Sequence, residues 1–80
     1  MNNQDLINSI FAELRKRFIE NQQKYKRLAV EEAQDNHRDT ARTFMTVAQA
    51  YERALSKVIE IEVNTRIMAM REEEEDDRRS

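Results

Sequence analysis

The feature of this sequence that most limits its fold is the complete absence of glycine and proline from its 80 residues. Tight turns draw on glycine for positive φ angles and on proline for a fixed φ angle, so a chain with neither has few ways to reverse direction sharply. A compact β-sheet domain needs several such reversals. The sequence therefore predicts an all-α protein with one or two long helices.

The chain also contains no cysteine, which excludes disulfide frameworks, thiolate zinc sites and cysteine nucleophiles. Without glycine it cannot form the phosphate-binding loops of nucleotide-binding folds. Charged residues make up 38% of the chain, but 14 basic and 16 acidic residues leave a net charge of only −2, which indicates no particular partner. We expect neither a cofactor nor a bound metal.

Regular apolar spacing predicts a first helix over residues 4–34, whose start the polar side chains between Asn2 and Asp5 can cap. Its apolar residues recur at alternating spacings of three and four, as in a coiled-coil seam. In heptad notation Phe11, Phe18 and Tyr25 are at a, and Ile7, Leu14, Asn21 and Leu28 are at d. Asn21 is the polar member of this seam.

The apolar pattern fades over residues 31–39, and a short turn is predicted at 34–38. Asp35 or Asn36 can cap the start of a second helix, and Asn36 with Asp39 has the spacing of a capping box. Asparagine and aspartate also tolerate the left-handed conformation that such a turn needs. The alternative is one uninterrupted helix of about 70 residues, about 105 Å long at 1.5 Å per residue.

A second helix is predicted over residues 38–72. Its seam is expected to consist of Thr40, Phe44, Val47, Tyr51, Ala54, Val58, Ile61, Thr65 and Met68. Ala41, Ala48 and Leu55 flank this seam, and the small side chains let a neighbouring helix approach closely. Because the two seams have similar lengths, the sequence predicts a two-helix antiparallel hairpin.

The second helix carries more apolar residues than a single partner helix can cover. A second apolar stripe beside its seam leaves only a narrow polar strip, which is typical of a helix buried on more than one side. We therefore expect the hairpin to form a homodimer, as a four-helix bundle, or to bind a protein partner through helix 2. The expected interface residues are Met45, Leu55, Ile59, Glu62, Val63, Arg66, Ile67 and Met70.

Glu62 and Arg66 are charged residues within this second stripe, and their i,i+4 spacing suits an ion pair. Two interpretations stay open. The pair either lies solvated at the rim of the bundle or fixes the register of the oligomer interface, since polar groups in a seam select one alignment.

Side chains that could perform catalysis are scarce. His37, the only histidine, falls in the predicted turn and is expected to be solvent-exposed. The pattern Glu31-Glu32-x-x-Asp35 resembles half of the magnesium-binding site of all-α nucleoside triphosphate pyrophosphohydrolases. The second acidic set that such a site needs is missing from helix 2, so we do not predict an enzyme.

Basic residues of helix 1 provide the alternative function, a nucleic-acid-binding hairpin dimer. Phosphate contacts from lysine and arginine supply most of the affinity of non-specific nucleic-acid binding. The candidate contacts are Arg15, Lys16, Lys26 and Arg27. They are spread around the helix and alternate with Glu13 and Glu20, so nucleic acid is not the favoured partner.

Residues 72–80 are predicted to form an acidic, disordered C-terminal tail beyond a helical hairpin at 1–71. We find neither a signal peptide nor a membrane span and expect a cytoplasmic protein. The predicted function is that of a non-enzymatic interaction protein, a regulator, adaptor or inhibitor, that acts through a helical surface as a homo-oligomer.

Overall fold

A computed structural model describes residues 3–79, and within them the chain forms two α-helices. Helix α1 spans Asn3–Gln34 and helix α2 spans Arg38–Arg79. The two helices pack antiparallel over the length of α1, in a molecule that measures 67 × 19 × 9 Å. The predicted all-α hairpin is therefore confirmed, and the single continuous helix is wrong. Asn2, a predicted cap, and Ser80 of the predicted tail lie outside the described residues.

The turn between the helices is built around Asn36, whose φ angle is +64°. The His37 N–H donates to the Glu32 carbonyl at 2.8 Å, and the Asn36 N–H donates to the Ala33 carbonyl at 3.2 Å. This pair of hydrogen bonds is the Schellman motif, which closes a helix through one left-handed residue. Asparagine takes the place that glycine usually has in this motif, so the chain reverses without glycine or proline, as the sequence predicts.

The start of α2 differs from the expected capping box. The helix begins at Arg38, and the His37 carbonyl accepts the first intrahelical hydrogen bond, from the Ala41 N–H at 2.9 Å. His37 is therefore the N-cap residue. The expectation that Asp35 or Asn36 caps α2 is wrong because both residues belong to the motif that ends α1.

The predicted seam of α1 faces α2 along its whole length. All seven predicted members are half-buried, including Asn21. Ala29 is buried at 4% exposure, next to the last d position of the seam. The heptad spacing of this helix therefore predicts its packing face correctly.

The seam of α2 is rotated from the predicted one. Its buried and half-buried positions alternate at spacings of three and four through Ala41, Phe44, Ala48, Tyr51, Leu55, Val58, Glu62, Thr65 and Ala69. Thr40, Ile61 and Met68, which were predicted to lie in the seam, are exposed instead. They are replaced by a column that repeats every seven residues, which we call the alanine column: Ala41, Ala48, Leu55, Glu62 and Ala69. Its small side chains allow the two helices to approach closely, and Ala48 is completely buried.

Four aromatic rings fill the middle of the hairpin and alternate between the helices. Phe18 meets Tyr51 edge-on with centroids 5.8 Å apart, and Tyr51 stacks on Tyr25 at 5.8 Å. Tyr25 in turn contacts Phe44 at 5.9 Å. Such pairs stabilise a fold by about 0.5–1.5 kcal/mol each beyond the area they bury.

Helix α2 continues well past the start of α1. Asn3 lies beside Glu72, so the residues after Glu72 extend beyond the end of the helix pair. The predicted end at residue 72 therefore differs from the observed end at Arg79, and the acidic run is helical. Glutamate and arginine are good helix formers, and no glycine or proline interrupts them. We call residues 72–77 the acidic arm.

Candidate interaction surface

The hairpin has very little interior of its own. Within residues 3–79 the buried hydrophobic residues are Ala29, Ala48 and Val58, and none of the large side chains is fully buried. In the same described part of the chain, eleven large hydrophobic residues are exposed by 36–61%. Most of them lie toward the open end of the hairpin, opposite the turn, on two faces that flank the contact between the helices.

The first face surrounds Glu62, and we call it the Glu62 face. Arg15 of α1 lines a shallow groove here together with Ile59, Glu62, Val63 and Arg66 of α2. The other exposed apolar residues on this side of α2 are Met45, Ile67 and Met70. This face contains most of the interface residues predicted from the second apolar stripe.

Glu62 joins the two helices through a cluster of charges. Its side chain is only 4% exposed, and its Oε1 atom accepts a hydrogen bond from Arg15 Nη1 across the hairpin. On its own helix, Arg66 Nη2 lies 2.5 Å from Glu62 Oε2, an ion pair without the alignment of a hydrogen bond. The i,i+4 pair predicted from the sequence is thus present, with a third member from α1.

The cluster keeps Glu62 ionised. The hydrogen bond from Arg15 and the positive charges of Arg15 and Arg66 lower the pKa of Glu62 from its ordinary value of 4.5, although partial desolvation acts in the opposite direction. Glu62 therefore carries its negative charge between two guanidinium groups at neutral pH.

Two of the predicted interface residues are covered within the hairpin itself. Leu55 and Glu62 belong to the observed seam of α2 and pack toward α1. The interpretation of Glu62 as a solvated rim residue is wrong, because Arg15 binds it where the two helices meet. Met45, Ile59, Val63, Ile67 and Met70 are exposed, as an interface with another molecule requires.

The second face lies on the other side of the hairpin, and we call it the Leu6 face. Leu6 and Ile7 line a groove with Thr65, Met68 and Ala69. Ile10 and Leu14 continue this side along α1, while Ile61 lies seven residues before Met68 and therefore on the same side of α2. Farther toward the turn, the face becomes a shallow groove lined by Phe18, Val47, Ala50, Tyr51 and Ala54.

The basic residues of α1 do not form a single stripe. Arg15 is half-buried and bound to Glu62, whereas Lys16, Lys26 and Arg27 are exposed. Lys26 follows Arg15 by eleven residues and lies on its side of the helix, while Lys16 and Arg27 lie farther around. One of the four candidate nucleic-acid contacts is therefore already occupied by a carboxylate.

The turn holds the single histidine. His37 is exposed, as expected, and its Nδ1 atom lies 2.6 Å from Glu32 Oε2. This contact joins the two residues whose backbone groups close the Schellman motif. Among residues 3–79, no three histidine, cysteine, aspartate or glutamate side chains come together as metal ligands would.

The sequence contained a signal for the buried position of Glu62. The alanine column Ala41, Ala48 and Leu55 repeats every seven residues, and its next member is Glu62. Arg15 follows Phe11 by four residues, at the edge of the α1 seam. A charged residue at a seam position is easily assigned to the rim, because burial of a lone charge is costly and only the tertiary structure reveals its partner.

Comparisons of the chain with protein-family models, with curated proteins and with solved structures find no match. Neither helix contains, within residues 3–79, a segment long and apolar enough to cross a membrane. The class that the fold and the surface define is a helical hairpin with two exposed apolar faces.

Proposed function

We propose that this protein is a non-enzymatic interaction module that works as a homo-oligomer, with the sides of its helices as the functional surface. The observation that carries the proposal is the imbalance between a minimal interior and two exposed apolar faces. Apolar surface that stays in water forgoes about 25 cal/mol per Å² of stabilisation. A second molecule on either face removes that surface from water.

Physical considerations of size support self-association. A domain of this length without disulfides or metal has a marginal core, and association is a common way to increase burial. Helices also derive most of their stability from tertiary packing rather than from intrinsic propensity. Two hairpins packed together give a four-helix bundle, in which every helix buries a wide stripe.

A biological role as a regulator, adaptor or inhibitor is consistent with such a module, because these roles need a surface rather than a reactive group. A cytoplasmic location is part of the same proposal, and cell fractionation tests it.

The proposal predicts the mass of the protein in solution. Light scattering is expected to give a dimer or larger species, at least twice the 9.6 kDa chain mass, at micromolar concentration. The double variant Ile61→Glu/Val63→Glu places a charge on each apolar face and is expected to give a monomer.

The matched control is Asn64→Glu, a neighbouring exposed residue on the polar side of α2. This variant is expected to keep the mass of the unmodified protein. A monomeric unmodified chain at 100 μM, a concentration on the order of a weak complex's Kd, contradicts self-association.

A further inference from the structure

The exposed apolar residues of the Leu6 face are concentrated near the open end of the hairpin. Leu6, Ile10, Ile61 and Met68 are each about half-exposed. They are centred on the level where Ile7 and Thr65 line the same groove. Ile61, Thr65 and Met68 present no charge to this part of the surface.

Charges of opposite sign lie on either side of this apolar centre. Glu72 lines the groove with Leu6 and Met68, and Asp76 follows it by one turn on the same side of α2. In the other direction, Arg17 lines a groove with Ile10, and Lys57 lies one turn before Ile61. Glu13 also lines the groove with Arg17 and Ile10, so this end carries one acidic residue beside two basic ones. The face therefore changes from acidic, through apolar, to a net positive charge along its length.

The two charged regions lie at nearly equal distances from the centre. At 1.5 Å per residue, the middle of the acidic arm is about 14 Å from Thr65, Lys57 is about 12 Å away, and Arg17 is about 15 Å from Ile7. A two-fold axis through the centre would therefore bring each acidic region onto a basic one. Closed two-fold symmetry is the commonest arrangement of homodimers.

We propose that a second copy of this chain docks on the Leu6 face, antiparallel to the first, with the two-fold axis at the level of Ile7 and Thr65. Each acidic arm then lies against Arg17 and Lys57 of the other copy. This inference rests on the proposed function, because it specifies the interface of the homo-oligomer.

Alternative arrangements of two copies are less favourable. On the Glu62 face, the second copy would have to cover Arg15 and Arg66, and desolvation of charged groups is costly. In a parallel dimer the two acidic arms would lie side by side and repel each other. In an antiparallel dimer centred on the middle of the hairpin, the arm would reach the acidic residues Glu31, Glu32 and Asp35 near the turn.

Arg17 and Lys57 have only weak partners within their own hairpin. Arg17 Nε lies 3.3 Å from Glu13 Oε1, and Lys57 Nζ lies 3.4 Å from Glu60 Oε2, with all four side chains more than half exposed. Exposed ion pairs of this kind contribute little to stability. Both basic side chains can therefore exchange their partners for the acidic arm at small cost.

Single cysteines can locate the two-fold axis, because the natural chain has none and every disulfide is then intermolecular. A residue forms a disulfide with its own copy only when the two Cα atoms lie within about 7 Å, which requires a position near the axis. The variants are Thr65→Cys at the proposed axis, Ala54→Cys farther along the same face, and Val63→Cys on the Glu62 face. We expect rapid oxidation to a covalent dimer for Thr65→Cys alone.

A solution dimer that cross-links through Val63→Cys overturns the inference in favour of the Glu62 face, and cross-linking through Ala54→Cys overturns the open-end arrangement. Both results leave the proposed function intact. A monomeric protein overturns the inference and also the self-association in the proposed function.

Charge exchange tests the two ends of the interface independently. One variant carries Glu72→Lys and Asp76→Lys, and another carries Arg17→Glu and Lys57→Glu. Each alone is expected to weaken dimerisation by on the order of tenfold or more at low salt, because like charges then oppose each other at both ends.

An equimolar mixture of these two variants is expected to restore dimerisation, because a heterodimer pairs opposite charges at both ends. The control carries Glu73→Lys and Glu74→Lys, the same change in net charge on other sides of the arm, and is expected to dimerise like the unmodified protein. Failure of the mixture to dimerise more tightly than its components, or equal weakening by the control, overturns the proposed contact.

Discussion

Glu62 is the residue at which this hairpin departs most from a simple apolar seam. Its carboxylate lies between Arg15 of one helix and Arg66 of the other, at the only seam position of α2 that carries a charge. A buried pair of this kind adds little to stability compared with apolar packing, but removal of one partner leaves an uncompensated charge. We therefore expect its contribution to be to alignment, since a shifted register would separate Glu62 from Arg15.

The Glu62→Gln variant is expected to be less stable than the unmodified protein at pH 7, because the amide cannot pair with two guanidinium groups. The lowered pKa of Glu62 means that its ionisation stabilises the fold above the ordinary value of 4.5, and this contribution is lost as the pH falls through the lowered pKa. The free energies of unfolding of the two proteins, measured in urea from pH 7 to pH 2, should therefore converge at the acidic end.

Glu60→Gln is the matched control, since Glu60 is exposed and forms a surface ion pair with Lys57. Its effect is expected to stay within about 0.5 kcal/mol, as for most surface substitutions. Parallel pH profiles for the unmodified protein and Glu62→Gln would contradict the role assigned to this carboxylate.

At the level of the helices, α1 and α2 differ in how they fill the contact between them. The seam of α1 presents rings and branched chains, whereas the alanine column of α2 presents small side chains at Ala41, Ala48 and Ala69. Large side chains of one helix thus meet small ones of the other, which is how facing layers interlock at high density. Ala48 lies between Phe44 and Tyr51 in the sequence and is completely buried.

The Ala48→Leu variant tests this close approach. The larger side chain is expected to force the helices apart and destabilise the hairpin by about 1–3 kcal/mol, the usual cost of overpacking. Ala12→Leu adds the same atoms at an exposed position of α1 and is expected to be close to neutral. Chemical denaturation monitored by circular dichroism measures both, and equal effects would argue against close packing at Ala48.

The sequence predicts the helices and the turn well because their signals are local. Heptad spacing identifies the packing face of α1, and Asn36 supplies the left-handed residue of the turn. The face of α2 that packs against α1 is harder to predict, because that helix has apolar residues on both sides of the alanine column. Which column faces α1 depends on how closely two helices can approach, and that is a property of the pair rather than of either helix.

The acidic arm is helical rather than disordered for a different reason. A run of like charges is usually a solvated tail, and acidic residues are unfavourable at a helix C-terminus. In this chain the run continues an existing helix, whose nucleation cost has already been met by the residues before it. Helix propagation then needs only residues with adequate propensity, which glutamate and arginine have.

At the level of the whole molecule, a single turn joins two helices whose contacts become more distant in sequence toward the open end. Glu32 and His37 meet across five residues, whereas Leu6 and Met68 meet across most of the chain. Loop-closure entropy rises with this separation, so the contacts nearest the turn are the easiest to form. An isolated hairpin should therefore form its helix–helix contacts first near the turn and lose them first at its open end.

This order of closing gives the hairpin a gradient of amide hydrogen exchange, which reports local opening. In dilute protein, amides of α1 and α2 near the open end are expected to exchange fastest. At high concentration a second copy on the Leu6 face would cover that end, and the same amides would become the slowest. The end of the hairpin that is least stable in a single chain would then be the most stable part of the dimer.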